Sequence, residues 1–264
     1  VISGVNLNQS TTFNLQFAGD STGTNQDASW LFLFTNDGET TTVKHRNLEY
    51  IFESLLEGWK HKVQNLWWVI DYNRQSLDSV VDDALFERIS GVFDSLGWKV
   101  SPLKYGKKLL KAQKGPAGEA ILNWIDNCPN QLYSALTYQG GLEWRRHLEL
   151  DLAGTFGIGE FLDSYDDSSL ADVMTNLGGH DIETLTEAFN EADDSEQPQC
   201  FIAYTVKGKG LPLAGHKDNH AGLMSVDQMA EFKKTQGVPD GAEWDKFGGI
   251  EKEGQNLQYF IDNC

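Results

Sequence analysis

The stretch Asn65-Leu66-Trp67-Trp68-Val69-Ile70-Asp71-Tyr72-Asn73-Arg74-Gln75-Ser76-Leu77-Asp78 joins an apolar run to a polar one without a break. Residues 66–70 are uninterrupted apolar and of strand length, which predicts a strand covered on both faces. Cys200-Phe201-Ile202-Ala203-Tyr204 is a second run of this kind, and residues 98–103 read as a further strand. Between them lie helical patterns. Leu85, Phe86, Ile89, Val92, Phe93 and Leu96 share one helical face, with Gly97 as the stop. Residues 51–59 suit an amphipathic helix, and Ala120, Ile121, Trp124 and Ile125 give another helix an apolar face, with Pro116 in its first turn. Asp181 reads as an N-cap, and Ser225 with Gln228 as a capping box. Strands alternating with helices predict an α/β fold, a mostly parallel sheet with helices on both faces. Ligands of such sheets bind at the carboxyl ends of the strands, here just after Ile70 and just after Tyr204.

Composition narrows the function classes. The chain has 264 residues, 40% of them hydrophobic, enough for a sizeable core. A net charge of −18 repels phosphate backbones and argues against a nucleic-acid partner. No apolar run reaches the ~18 residues of a membrane span, and no basic leader precedes an apolar stretch as in a signal peptide. Cys128, Cys200 and Cys264 are far apart and form no C-x-x-C pair, so a disulfide scaffold is not expected and a cytoplasmic location is. Residues 151–200 hold 13 Asp or Glu and no Lys or Arg, a solvated face or else a docking surface for a basic partner. Ser, Thr, Asn and Gln fill 20 of the first 46 positions. Only Trp30-Leu31-Phe32-Leu33-Phe34 there reads as a buried strand. The expected organisation is an atypical segment at 1–48, misfolded or translated out of frame, a partial diphosphate-binding α/β domain at 49–247 and a C-terminal tail at 248–264. The opening at Val1 reads as a cut piece of a longer protein.

The polar run after Ile70 has two readings. An Asn side-chain oxygen and the backbone carbonyl two residues on can face one hard cation such as magnesium, which wants about six oxygens. The same Asp-x-Asn spacing also forms an Asx turn. After Tyr204, Thr205-Val206-Lys207-Gly208-Lys209-Gly210 puts a lysine and two glycines on a strand exit, where a lysine meets an anion or simply solvent. The order is not that of a P-loop. His216 and His220 follow in a loop carrying Pro212 and two glycines, which disfavours a helical zinc pair.

Three of these segments resemble, in order, motifs of the thiamine-diphosphate-dependent, transketolase-like enzymes. The closest likeness is to the homodimeric type of pyruvate dehydrogenase decarboxylating component. The strand ending in Asp71-Tyr72-Asn73-Arg74-Gln75 looks like that family's D-x-N-x-Q. Residues 205–210 followed by His220-Ala221-Gly222 look like its T-x-K-G-x-G…H, and Gly179-His180-Asp181 like its G-H-D turn. The resemblance implies magnesium ligation by the Asn73 side chain and the Gln75 carbonyl, with Asp71 and Asn73 at the cofactor. It implies that Lys207 meets the substrate carboxylate or the intermediate and that His220 acts as an acid/base or substrate-binding group. His216 has no firm counterpart, and His180 reads as a structural turn residue. For the preceding Gly-Asp-Gly-Glu turn, Asn36-Asp37-Gly38-Glu39 is the nearby candidate, with Asp37 a metal ligand and Gly38 at the cofactor. Its 36-residue distance to Asn73 exceeds the family's usual gap, and the alignment that keeps the gap puts Val43 at the Asp position.

The resemblance therefore implies part of an oxidoreductase that decarboxylates a 2-oxo acid, pyruvate in the nearest case. The cofactors are thiamine diphosphate and Mg2+, the acyl unit passes to a lipoyl-bearing acyltransferase, and the whole enzyme is a homodimer. The pyrimidine-binding module has no candidate here, so the chain alone is expected to be inactive. A transketolase-type ketol transferase and a degenerate, non-catalytic α/β scaffold are the alternatives.

Overall fold

The computed structural model describes residues 31–35, 40–41, 49–76, 79–80, 85–193 and 195–263. In chain order they form β1 (Leu31–Thr35), β2 (Thr40–Thr41), α1 (Glu49–Lys60), β3 (Leu66–Tyr72), β4 (Gln75–Ser76), β5 (Ser79–Val80), α2 (Leu85–Ser95) and β6 (Lys99–Leu103). Then follow α3 (Lys107–Ala112), α4 (Gly118–Asn127), α5 (Asn130–Gln139), α6 (Gly141–Asp151), α7 (Ile158–Asp163) and α8 (Asp167–Met174). Last come α9 (Ile182–Asp193), β7 (Gln199–Tyr204), α10 (Val226–Thr235) and α11 (Glu251–Asp262).

The main sheet runs β2-β1-β3-β7-β6. β7 pairs in parallel with β3 on one side and β6 on the other, while β1 is antiparallel to β3. This is the expected α/β fold. β7 is central and all six of its residues are buried, the polar Gln199 included, and the apolar run 200–204 follows from that position. β6 is an edge strand, and that position accommodates Pro102, which has no N–H to give a second neighbour.

Alternate residues of the parallel strands serve opposite layers. On one face, Trp68, Ile70 and Tyr72 of β3 and Cys200, Ile202 and Tyr204 of β7 join a core built on Leu55, Phe93, Leu109, Ile121, Tyr133, Leu136, Trp144 and Leu148 of α1–α6. Trp68 meets Phe93 and Trp98 edge-on, with centroids 5.1 and 5.9 Å away. On the other face Phe201 and Leu103 pack with Trp67, Val69 and the α9 residues Leu185, Ala188, Phe189 and Ala192. Both faces of β3 are thus covered by helices, as the apolar run predicts.

Several details differ from the sequence reading. The helix expected to include Pro116 in its first turn starts at Gly118. The 248–264 segment carries α11, whose Phe260 and Ile261 remain exposed. The polar run after β3 folds back as the small antiparallel pair β4–β5. No described helix is long and apolar enough to cross a membrane.

Candidate functional site

β3 and β7 are parallel and in register from Trp67↔Gln199 to Tyr72↔Tyr204, so their exit loops leave the same end of the sheet. Thr205 N–H donates to the Tyr72 carbonyl at 3.3 Å, which carries the pairing one residue past β7. The Thr205 hydroxyl donates to the Asp71 carboxylate. One residue past β3, Asn73 Oδ1 accepts the Gln75 N–H at 2.9 Å, which is the Asx turn. The Gln75 side-chain amide then crosses to the other loop and donates to the Gly215 carbonyl at 3.1 Å.

That second loop is fixed around Lys207. Its carbonyl accepts from Gly215 N–H at 3.1 Å and from Asn219 Nδ2 at 2.6 Å. Asn219 Nδ2 also reaches the Leu213 carbonyl at 3.0 Å. Gly208 has φ +71°, and a Cβ there would lie 2.5 Å from Asn219 Nδ2, so both conformation and space require glycine. His216 Nδ1 accepts the Asp218 N–H at 3.1 Å and caps a short 3-10 turn, Lys217–His220. The His216 ring packs on Tyr138 with centroids 4.6 Å apart. His220 ends the turn and is exposed, while Lys207 is half-buried.

The Gly178–His180 turn braces the β7 exit from behind. His180 Nε2 accepts the Val206 N–H at 2.7 Å, so the ring proton sits on Nδ1. Burial, helped by the nearby Lys209 charge, holds this imidazole below its ordinary value of 6.5. A Cβ on Gly179 would meet Thr205 Cγ2 at 2.6 Å and the Tyr204 carbonyl at 2.7 Å. Asp181 accepts from the backbones of Thr184 at 2.9 Å and Lys107 at 3.1 Å, and from Asn176 Nδ2 at 3.2 Å. The turn is a structural element, and His180 supports the loop backbone.

The structure thus brings the β3 exit, with Asp71, Asn73 and Gln75, against the β7 exit, with Lys207 and the loop that ends at His220. Asp37 and Gly38 lie outside the described residues. Thr35, the last described residue before them, pairs with Leu66, at the end of β3 away from Asn73. Among the described residues no three His, Cys, Asp or Glu cluster as a metal site. Among the described residues a cation here would meet the Asn73 carboxamide oxygen and backbone carbonyls, beside the single carboxylate of Asp71. The carboxamide oxygen of Asn73 spends one lone pair in the turn and keeps the other. Gln75 Oε1 is buried without a hydrogen-bond partner, an acceptor at the site awaiting a donor.

Two participants were not visible in the sequence. Arg74 adopts φ +62°, the left-handed region, and stacks its guanidinium 4.1 Å from the Tyr133 ring centroid. Tyr133 is buried and donates its hydroxyl to the Met174 carbonyl at 2.7 Å. The 130–139 segment carries no motif, and a pairing across 59 positions leaves no trace in local spacing.

Fold and loops together define an α/β protein with a polar constellation at the carboxyl ends of two adjacent parallel strands. No family model matches the chain. It is 24% identical over 217 residues to a pyruvate dehydrogenase E1 component of Haemophilus influenzae, a match covering 79% of this chain and 23% of that protein. It is 27% identical over 157 residues to a plasmid transketolase of Cupriavidus necator, covering 47% of this chain and 23% of that protein. The chain spans under a quarter of the length of either relative.

Proposed function

We propose that this chain is part of a thiamine-diphosphate-dependent enzyme and contributes the module that grips the diphosphate. The observation that carries this reading is the hydrogen-bonded apposition of the two exit loops, from Asn73 through Gln75 and Gly215 to Lys207. The match to a pyruvate dehydrogenase E1 component over most of the chain supports it. The residues suit the cofactor chemically. Asn73 Oδ1 and the Gln75 carbonyl are hard oxygens for Mg2+, and a diphosphate needs such a cation in a chain of net charge −18.

When bound, thiamine diphosphate supplies the stabilised carbanion that decarboxylation of a 2-oxo acid requires. The chain's own groups then have separate tasks. Asn73 and Gln75 hold the cation, with Asp71 beside the diphosphate and fixed by Thr205. Lys207, its backbone locked by two donors, presents an ammonium to the substrate carboxylate. His220 exchanges a proton with the substrate oxygen or holds that oxygen. In the whole enzyme the substrate is pyruvate or a similar 2-oxo acid. The acyl unit passes to a lipoyl-bearing acyltransferase, and the assembly is a homodimer. Asp37 and Gly38 belong to this reading through sequence resemblance alone. The match to a transketolase favours ketol transfer as the second reading, on the same cofactor and loops.

Calorimetry tests the module directly. Thiamine diphosphate is expected to bind only with Mg2+ present. Asn73→Ala should weaken binding by at least about tenfold, as loss of a metal contact does, while Lys207→Met should bind cofactor normally. Asp37→Ala decides that residue: unchanged binding removes it from the ligand set. No magnesium-dependent heat from the wild-type chain would leave the scaffold reading instead.

A further inference from the structure

Helix α5 lies under both exit loops, although nothing in its sequence marks it as functional. Tyr133 takes the Arg74 guanidinium of the β3 loop at 4.1 Å, and Tyr138 takes the His216 ring of the β7 loop at 4.6 Å. Between them, a Cβ on Gly215 would come within 2.9 Å of the Ser134 carbonyl and 3.0 Å of Thr137 Cβ. Residues 133 and 137, and 134 and 138, are i,i+4 pairs, so the four lie on one broad side of the helix. Gly215 is also the residue whose carbonyl Gln75 binds.

We infer that α5 is a positioning platform for the site, and that the Arg74–Tyr133 stack is the contact through which it sets the Asn73–Gln75 turn. Arg74 stands between the two proposed cation ligands, so its placement fixes theirs. A non-glycine residue at φ +62° is disfavoured locally, and the stack is the interaction that holds it there. Stacking engages the face of the guanidinium, so only a planar cation fits this role well. Tyr133 is anchored in turn through its hydroxyl to Met174 at the end of α8. Arg74 and Tyr133 are therefore positioning residues that act through Asn73 and Gln75, and the inference rests on the cation reading proposed above.

Two measurements on the whole chain separate the inference from that reading. The first is hydrogen exchange at the Gln75 amide, which reports the Asn73–Gln75 turn without any ligand. The second is titration of Mn2+ in the presence of inorganic pyrophosphate. Arg74→Leu is expected to speed exchange at Gln75 and to weaken Mn2+ binding about tenfold, the usual scale for an orienting neighbour of a metal ligand. Tyr133→Leu should do the same, and the double variant should be no worse than either single one. Tyr133→Phe keeps the ring and loses only the hydroxyl anchor to Met174, so it should fall between wild type and Tyr133→Leu in both measurements; a Tyr133→Phe as impaired as Tyr133→Leu would overturn the role of the ring face. Unchanged exchange and affinity in Arg74→Leu would overturn the positioning role. If the wild-type chain binds no Mn2+–pyrophosphate, the cation reading fails, and exchange at Gln75 still decides whether the stack sets the turn.

Discussion

His180 shows how one side chain can carry a pH dependence without taking part in chemistry. Its Nε2 is an acceptor for Val206 N–H and its ring is largely buried, so the folded state disfavours the imidazolium. A histidine with a depressed folded pKa binds its proton later than the unfolded chain does on acidification. Its contribution to stability is complete above 6.5 and is lost as the pH falls from there through the folded pKa. His180→Gln keeps an acceptor near the same place and removes the titration. Urea unfolding between about pH 5 and 7 should give a flatter stability profile for the variant than for wild type. Two parallel profiles would show that His180 does not set this slope. The residue scale also explains what the sequence could and could not reveal. Asp71, Asn73, Gln75 and Lys207 lie within a few positions of strand ends, and a strand end is visible as a change from apolar to polar. Arg74 and Tyr133 meet only because β3 and α5 are packed in one core, and single-residue contacts of that kind follow from folding rather than from pattern.

Among the elements, those with strong local signals formed close to where the spacing put them. Ser225 and Gln228 make the reciprocal capping box of α10, with contacts of 2.9 and 3.2 Å. Asp181 caps α9 and ties its start to α3 through Lys107 N–H. Burial alone would raise this carboxyl, but the hydrogen bonds from Thr184, Lys107 and Asn176 outweigh it and hold the pKa below 3.8. The stability it confers is therefore present above 3.8 and lost as the pH falls through the folded value. Asp181→Ala should cost about 1–2 kcal/mol at neutral pH, the usual scale of a lost cap, read as a lower midpoint in chemical denaturation. A midpoint within error of wild type would mean that water replaces the carboxylate at no cost. Helices α3, α5, α6, α7 and α8 were harder to read. Their apolar sets, such as Leu109 with Leu110, Trp144 with Leu148, and Leu170 with Val173 and Met174, each span no more than two turns, and their buried members become core only when the helices converge on them. The antiparallel β1 shows the same limit. Its apolar run predicts a strand, but direction is decided by the neighbour it pairs with.

Charge is the dominant property of the whole molecule. The ion pairs described are mainly at the surface, such as Lys108–Asp172 and Lys233–Glu243, and such pairs add little stability each. Lys107–Glu187 and Arg145–Asp167 neutralise part of the acidic 151–200 stretch from other helices, while the net charge remains −18. Self-repulsion should therefore weaken the fold at low ionic strength. Raising sodium chloride from about 0.01 to 0.15 M shortens the screening length from about 30 to 8 Å. The melting temperature should rise by a few degrees, each kcal/mol being worth about 2–4 °C at this size. A fall or no change would mean that attractive pairs outweigh the repulsion. At the centre of this charged shell, Cys200 sits on β7 with no exposed surface, and burial drives its thiol far above the ordinary range. Cys128, at the end of α4, is only half-covered. In a Cys264→Ser background the two remaining sulfurs thus form an internal stopwatch: an alkylating reagent reaches the outer one in the native protein, and the inner one only when β7 parts from its neighbours. The delay between the two labels measures how long the central strand stays shut.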